Sequence, residues 1–272
     1  MAITAKDVMA LRQKTGLGMM ECKEALAEVD GDVDKAIDLL RQRGLAKMDT
    51  RAERTSAEGR VTAALSDDAS KGAIVEINSE TDFTASNDTF VKMADTIANE
   101  ALNNGAGEVQ PNDAMKAAID EVRLTTKENV QFARGTVLGG PGSTVGSYVH
   151  FTGKVGVLIE LDTSGGGKAD EQLLKDLCMH ISAVSPVPLG VTEDEVPAEV
   201  VEKEREIAKA QAIESGKPEQ IAEKMVEGKI RKFYDETVLL RQPFIKDDKK
   251  QIKDLLPKGV TVKQFVRYQV GG

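Results

Sequence analysis

The sequence predicts an α+β protein with a small N-terminal three-helix bundle, two related antiparallel-sheet and helix core subdomains, and a protruding antiparallel helical hairpin. Three patterns carry this prediction. Short segments with helical apolar spacing fill residues 1–46, a strand–turn–strand–helix order occurs twice further along, and residues 197–236 are rich in Glu, Lys, Ala, Ile and Val.

The N-terminal segment, residues 1–46, is predicted to form three helices that share one core, because helices this short do not persist alone. Thr4 followed by Asp7 is a variant of the capping box, which marks a helix start. The predicted boundaries are Thr15-Gly16 for the end of the first helix, Met19 and Val29 for the second, and Asp32 and Gly44 for the third. The side of the second helix expected to face the core carries Met20, Ala25, Leu26 and Val29. Residues 47–59 are polar and are interpreted as a linker.

The first core subdomain is predicted at residues 60–140 and the second at 141–196 together with 237–272. The elements predicted in the first are strands at 60–65 and 73–77, a helix from Asn87 and a helix from Pro111 to Phe132. Those predicted in the second are strands at 146–151, 154–161 and 260–270, a helix at 170–184 and a short helix at 252–256. The segments 71–76 and 155–160 resemble each other, which indicates a duplicated unit.

The hairpin, residues 197–236, is predicted as an insertion in the second subdomain. Gly216-Lys217-Pro218 marks its turn, since Gly is favoured just past a helix and Pro at the start of the next. The narrow apolar stripe expected between its helices consists of Val200, Val201, Ile207, Ile221, Met225, Ile230 and Phe233. Such a hairpin is expected to project from the body, and it offers a surface for homodimerisation.

Composition excludes several classes of protein. The 272 residues carry a net charge of −9, which argues against direct binding of nucleic acid or an anionic membrane. Only two cysteines are present, Cys22 and Cys178, which suits a reducing compartment. We find no apolar signal core and no long apolar run, so the expected location is cytoplasmic.

Enzyme motifs are not found, and we expect no catalytic residue, no metal site and no cofactor. Gly165-Gly166-Gly167-Lys168 lacks the spacing of a phosphate-binding loop and is interpreted as a turn. Cys178 and His180 are possible metal ligands, but we find no second pair of ligands in the sequence. We therefore favour a position on a helix that faces the protein core.

The first functional candidate is the turn that contains Met19 and Met20. Neighbours on a helix point about 100° apart, so both side chains can hardly enter one small core. An exposed Met at such a turn suits an adaptable contact surface. The alternative is that both residues cover the core of the bundle.

The second candidate is Asn78-Ser79-Glu80-Thr81-Asp82-Phe83, which ends a predicted strand before a helix. By pattern alone, Thr81 or Asp82 is a helix cap and Phe83 an aromatic at the edge of the core. The same residues also fit the working edge of a protein that binds another protein.

Both candidates occur in longer motifs that resemble the elongation factor Ts family. The resemblance covers essentially the whole chain. The motifs that carry it are Leu11-Arg12-x-x-Thr15-Gly16-x-Gly18-Met19-Met20-x-Cys22-Lys23-x-Ala25-Leu26, Asn78-x-x-Thr81-Asp82-Phe83, Gly146-Ser147-Tyr148-x-His150, residues 199–204, Gly216-Lys217-Pro218 and residues 221–228.

The resemblance implies an exchange factor for the GTPase elongation factor Tu, with a ubiquitin-associated-like bundle at residues 1–46. It implies that Thr81, Asp82, Phe83 and Thr84 dislodge magnesium from the partner's nucleotide site. The residues implied to bind the partner elsewhere are Arg12, Met19, Met20 and His150. Thr84 stands where the family usually has Val. Certain longer relatives append a helix that touches the partner, and that contact is not expected here. The alternative function is a scaffold or oligomerisation protein acting through the hairpin.

Overall fold

The computed structural model describes residues 3–15, 17–49, 54–214 and 219–272, with side chains described throughout except at 45–49 and 219. Within these ranges the chain forms a helical bundle, two main antiparallel sheets with helices, and a helical hairpin, which confirms the predicted α+β class. None of the helices in these ranges is long and apolar enough to span a membrane.

The N-terminal helices are α1 (Ala5–Thr15), α2 (Met19–Glu28) and α3 (Val33–Asp49). Thr4 caps α1 as predicted: the N–H of Asp7 donates to Thr4 Oγ1 at 3.3 Å, and the N–H of Thr4 donates to Asp7 Oδ2 at 3.0 Å. Asp32 caps α3 by accepting a hydrogen bond from the N–H of Lys35 at 3.1 Å. The shared core consists of Val8, Leu11, Cys22, Ala25, Leu26, Ala36 and Leu40.

Two expectations for the bundle are wrong. Met20, expected on the core-facing side of α2, is 63% exposed, because Cys22 instead occupies that side of the helix. Gly44 does not end α3; it lies against Leu124, so closely that an added Cβ would be 2.1 Å from Leu124 Cδ2. Gly16, predicted to help end α1, lies outside the described residues.

The first sheet contains β1 (Glu58–Leu65), β2 (Lys71–Ser79), β3 (Gly107–Glu108) and β4 (Gln131–Gly139), in the order β1-β2-β4-β3 with antiparallel neighbours. The helices of this part are α4 (Asp82–Ala85), α5 (Asp88–Ala101) and α6 (Asp113–Thr126). Helix α5 begins after Asn87, as predicted, and its apolar side packs on one face of the sheet. The predicted pair of strands is confirmed as β1 and β2.

The predicted helix from Pro111 to Phe132 is too long. Helix α6 ends at Thr126 because Lys127 adopts a left-handed backbone, with a φ of 60°. Phe132 lies instead in β4, which the sequence analysis missed and which pairs with β2. Only residues 127–130 separate the two elements, and none of them is Gly or Pro.

The second sheet begins with β5 (Ser143–Val149) and β6 (Val155–Asp162), which are followed by α7 (Glu171–Ala183). Further along, β7 (Pro243–Phe244) and β8 (Asp247–Gln251) form a small hairpin, and β9 (Thr261–Gln269) pairs with β6, as predicted for the last strand. The helix predicted at 252–256 is a short 3-10 helix, Ile252–Leu255. The strand predicted at 146–151 ends earlier, so His150 and Phe151 lie in the turn after β5.

The two sheets pack face to face, with helices on both outer faces. Buried between them are Val61, Ile74, Leu138, Val145, Leu158 and Tyr268. The opposite face of the first sheet packs on α5 and α6, and that of the second packs on α7. Strands β2 and β6 are central in their sheets and are therefore buried along most of their length.

Glu76 of β2 and Glu160 of β6 occupy equivalent positions in the two sheets. Each is only 2% exposed and directly precedes an irregularity in strand register. Glu76 pairs with Arg134 on β4 at 2.7 Å, and Glu160 pairs with Lys263 on β9 at 2.7 Å. The repeated buried carboxylate, bulge and cationic partner support the prediction of a duplicated unit.

The hairpin consists of α8 (Ala198–Glu214) and α9 (Glu219–Thr237), which are about 26 and 28 Å long at 1.5 Å per residue. Its buried interior consists of Ala208, Ala212, Val226 and Ile230. Ile207 and Ile221, expected between the helices, are instead 43% and 47% exposed, because small alanines occupy the line of closest approach. The predicted turn Gly216-Lys217-Pro218 lies outside the described residues.

Candidate functional site

The corner between β2 and α4 presents Phe83 to solvent. Thr81 has extended backbone and caps α4, with its hydroxyl accepting a hydrogen bond from the N–H of Thr84 at 3.3 Å. Asp82 is the first residue of α4, and Phe83 follows with its side chain 85% exposed. Thr84 is buried, so its side chain does not share the exposed surface of Phe83. The capping interpretation of Thr81 is therefore confirmed, whereas Phe83 does not cover the core.

Glu128, which no sequence pattern singles out, holds this corner in place. Its carboxylate accepts hydrogen bonds from the N–H of Thr81 at 3.1 Å and from the hydroxyl of Thr81 at 2.7 Å. Hydrogen bonds to a charged acceptor are the stronger kind. Glu128 directly follows Lys127, so the left-handed turn that ends α6 also brings the carboxylate to Thr81.

A second set of polar contacts holds Glu80, the residue that directly precedes Thr81. The N–H of Asn129 donates to Glu80 Oε1 at 2.8 Å, and Arg54 pairs with the same carboxylate at 3.2 Å. The side-chain amide of Asn129 donates to the Ser56 hydroxyl at 3.1 Å. Residues before β1 and after α6 therefore contact each other and Glu80, which directly precedes Thr81.

The turn between β5 and β6 presents a second aromatic surface. His150 is half-buried and Phe151 is 87% exposed, and their ring centroids are 4.4 Å apart. The turn lies at the same end of the sheets as Phe83, because Lys154 binds the carboxylate of Glu58, whose neighbour across the ladder is Ser79. Phe151 was placed in a strand by the sequence analysis, which gave it no role.

The methionines and the arginine predicted to bind a partner are exposed on the bundle. Met19 and Met20 are 43% and 63% exposed, so neither is covered by the core. Arg12, on α1, is also exposed, and Met9 on the same helix adds further exposed apolar area. These residues belong to α1 and α2, whereas the corner and the β5–β6 turn belong to the two sheets.

Helix α6 connects the bundle to the corner. Leu124, in its last turn, packs against Gly44 of α3, and a cleft of about 520 Å³ lies between the bundle and this helix. Four residues after Leu124 comes Glu128, which binds Thr81. One helix therefore supports both the bundle and the Phe83 corner.

We find no group of three or more His, Cys, Asp or Glu side chains in the described ranges that is suitable for a metal ion. Cys22 and Cys178 are buried and free, and burial raises the pKa of the Cys178 thiol, so thiolate chemistry is disfavoured there. His180 is fully buried on α7, and its Nε2 forms a hydrogen bond with the Gln242 side chain at 3.0 Å. This confirms the predicted position on a helix that faces the protein core. Gly165 and Gly166 lie in the turn after β6, as predicted.

Comparison with known proteins gives consistent matches. Residues 80–272 match the family model described as elongation factor TS. The chain is 46% identical over 279 residues to elongation factor Ts of Alkalilimnicola ehrlichii, an alignment that covers 100% of this chain and 93% of the relative. It is 48% identical over 280 residues to elongation factor Ts of Thioalkalivibrio sulfidiphilus, with the same coverage. Elongation factor Ts of Aquifex aeolicus is 39% identical over 290 residues, with 100% of this chain and 99% of the relative covered.

Proposed function

The chain belongs to the elongation factor Ts family, and from that premise we propose that it is a guanine-nucleotide exchange factor for elongation factor Tu. It is a translation elongation factor of protein biosynthesis, and the proposal concerns how it acts. It binds the GDP-bound GTPase, displaces magnesium and promotes GDP release so that GTP can bind. In this proposal the protein acts in the cytoplasm by binding another protein. It catalyses no chemical reaction and needs no cofactor. It makes no direct contact with nucleic acid or membrane.

The observation that carries this proposal is the exposure of Phe83 on an ordered corner. Burial of a phenyl ring is worth about 1.5–3 kcal/mol, so a ring held 85% in water is a strong candidate for a protein contact. The hydrogen bonds from Thr81 to Glu128 fix the backbone on which Phe83 stands. A fixed side chain loses less conformational entropy on binding than a mobile one.

Exchange requires that the factor bind the open partner more tightly than the nucleotide-bound partner. Weakening nucleotide binding by roughly 10⁵-fold requires about 7 kcal/mol of coupling, more than one phenyl ring supplies. In this proposal Phe83 is the wedge, that is, the side chain that enters the GTPase domain of the partner near the magnesium site. Asp82 disturbs the surroundings of the magnesium ion, and Thr81 and Thr84 shape the corner. Losing the metal removes a major attraction for the β-phosphate.

The remaining binding energy is assigned to contacts away from the wedge. Arg12, Met19 and Met20 bind the nucleotide-binding domain of the partner through the exposed side of the bundle, and His150 binds a more distant domain. Helix α6 contacts the bundle at Gly44 and is followed by Glu128, which binds Thr81, and these contacts support simultaneous binding of the partner by the bundle and the corner. Such an extended footprint holds the wedge in place.

The test is release of a fluorescent GDP analogue from elongation factor Tu with and without this protein. Acceleration that saturates with factor concentration supports exchange activity. An unchanged release rate at saturating factor, with complex formation verified separately, contradicts it.

A second candidate is a scaffold that dimerises through residues 197–236. The observation that favours it is the exposure of Ile213, at 76%, near the end of α8, together with exposed Ile221 on α9. Sedimentation velocity of the wild type and of Ile213→Glu tests this candidate. A dimer that the substitution dissociates, with no effect of the protein on GDP release, would favour the scaffold.

A further inference from the structure

The two most exposed large hydrophobic side chains in the described ranges are both phenylalanines at one end of the sheets. Phe151 is 87% exposed and Phe83 is 85% exposed. Single exposed apolar residues are common on protein surfaces and need no functional explanation. Phe151 differs from that ordinary case because its turn is ordered and because it stands beside another ring.

Backbone hydrogen bonds hold the turn that carries Phe151. The N–H of His150 donates to the carbonyl of Val155 at 2.9 Å, and the N–H of Gly153 donates to the carbonyl of His150 at 2.7 Å. The turn is also joined to the first sheet, since the N–H of Val61 donates to the carbonyl of Gly153 at 2.7 Å. Phe151 is therefore held away from the core by a preorganised backbone.

His150 gives this surface a polar group beside the phenyl ring. The two rings are tilted by 43° with centroids 4.4 Å apart. The Nδ1 atom of His150 lies 2.7 Å from the Thr152 hydroxyl, and the N–H of Thr152 points to the same atom at 3.5 Å. With Nδ1 as acceptor, the neutral ring carries its proton on Nε2, where it can donate to a partner.

We infer that Phe151 is a second aromatic anchor for the GTPase, seated in an apolar pocket of the partner that has a carbonyl or carboxylate acceptor for His150 at its edge. The inference rests on the proposed function. It assigns Phe151 a role different from that of Phe83: Phe151 sets affinity, and Phe83 acts on the nucleotide.

The different roles of Phe83 and Phe151 follow from the elements that carry them. Phe83 is on α4 at the end of β2, whereas Phe151 is in the β5–β6 turn of the second sheet, beside the residue assigned to a more distant domain of the partner. A contact that does not distinguish the nucleotide-bound from the open partner adds equally to binding of both states. Such a contact lowers the factor concentration needed for exchange and leaves the saturated rate unchanged.

The experiment compares wild type with Phe151→Ala, Phe151→Leu and the matched control Ile245→Ala, which removes an exposed apolar side chain from the β7–β8 turn. Calorimetry measures the Kd for elongation factor Tu, and stopped-flow fluorescence measures GDP release over a range of factor concentrations. Phe151→Ala is expected to raise the Kd roughly tenfold to a hundredfold with an unchanged saturated rate. Phe151→Leu is expected to fall in between, and Ile245→Ala to match wild type. Thermal unfolding checks that every variant is folded.

An unchanged Kd for Phe151→Ala would overturn the anchor, whatever its effect on the saturated rate. A raised Kd together with a lower saturated rate would overturn the separate roles assigned to Phe151 and Phe83. A self-association of the chain that Phe151→Ala abolishes, with partner affinity retained, would assign the surface to a second copy and also overturn the anchor. Wild type that binds without accelerating release contradicts the proposed function alone, and the Kd comparison still decides the role of Phe151. Wild type that does not bind contradicts both.

Discussion

Thr81 donates two hydrogen bonds, from its N–H and its hydroxyl, to the carboxylate of Glu128, which lies 47 positions further along the chain. The bond lengths of 3.1 and 2.7 Å place one carboxylate oxygen on each donor. Because Lys127 ends α6 in a left-handed conformation, Glu128 turns back towards the corner that exposes Phe83. The position of Phe83 therefore depends on where α6 ends.

Glu128→Gln should weaken the exchange activity without unfolding the protein. The amide keeps the shape of the side chain but replaces one acceptor oxygen with an NH₂ group, so one of the two bonds from Thr81 is lost. A hydrogen bond to a charged group is worth about 1.5–3 kcal/mol, and a partial loss of corner order should slow saturated GDP release by roughly threefold to tenfold. Stopped-flow release measures this, with exposed Glu108→Gln as the matched control. Equal rates for both variants would show that the corner does not need Glu128.

Phe83→Ala should lower the saturated rate of GDP release by roughly tenfold to a hundredfold, the equivalent of the burial energy of one phenyl ring. Its side chain is 85% exposed, so the free energy of unfolding should stay within about 0.5 kcal/mol of wild type. GDP release and urea denaturation measured on the same preparation separate the two effects. Wild-type release by a folded variant would rule out the wedge.

Arg12→Ala combined with Met20→Ala should weaken complex formation, because both side chains are exposed on the bundle and neither supports its core. A loss of roughly tenfold in affinity is expected if the two contacts together supply about 1.4 kcal/mol. A pull-down with elongation factor Tu, quantified by calorimetry, measures it. Lys35→Ala, an exposed position on α3, serves as the control. An affinity equal to that of the control would remove the bundle surface from the interface.

Acidification should destabilise the fold through His180. Burial lowers the pKa of His180 below its ordinary value of 6.5, although the hydrogen bond with Gln242 opposes this shift, and its Nδ1 accepts from the N–H of Ile245 at 3.3 Å. Below pH 6.5 the unfolded chain therefore takes up a proton that the folded chain does not, and the free energy of unfolding falls with pH until the folded pKa is reached. The expected slope is at most about 1.4 kcal/mol per pH unit.

Urea denaturation between pH 7.5 and 5.5 measures this slope. His180→Gln should be less stable at every pH but should lack this contribution to the slope. The chain has only one other histidine, His150, so His150→Gln is the matched control and should keep the slope. The same slope in all three proteins would assign the pH dependence to carboxylates.

Glu160→Gln should destabilise the second sheet. Burial raises the pKa of Glu160, but hydrogen bonds from Lys263, Ser143 and Gln264 outweigh burial, so the pKa lies below its ordinary value. The carboxylate is 2% exposed, whereas Lys263 is half exposed and can be solvated after the substitution. We expect a loss of about 1–3 kcal/mol at pH 7.

The pH dependence gives this prediction a second readout. Because the folded pKa is lowered, the stabilisation by Glu160 is present above pH 4.5 and is lost as the pH falls through the folded pKa. The free energies of unfolding of wild type and Glu160→Gln, measured by urea denaturation, should therefore converge as the pH falls. A difference between them that stays constant from pH 7 to pH 3 would contradict an ionised Glu160.

Local patterns predicted most of the elements. Thr4, Asp32 and Asn87 cap helices through contacts within a few residues, so their positions could be read from sequence. Apolar residues spaced three or four apart predicted α5, because this periodicity is also a local property of the sequence. The exposed side of α2 was harder to predict, because residue spacing left open whether Met19 and Met20 are covered by the core. Only the packing of the bundle shows that both side chains are exposed.

The sequence by itself determined the α+β class, the duplicated strands and the chain position of Phe83, because caps and periodicities act over short distances. The tertiary structure alone decided that Glu128 binds Thr81, that Phe132 belongs to β4, and that Phe151 stands at the same end of the sheets as Phe83. The physical reason is that these relationships depend on which distant segments pair. Strand pairing and the left-handed turn at Lys127 bring them together, and neither leaves a local signal in the residues concerned.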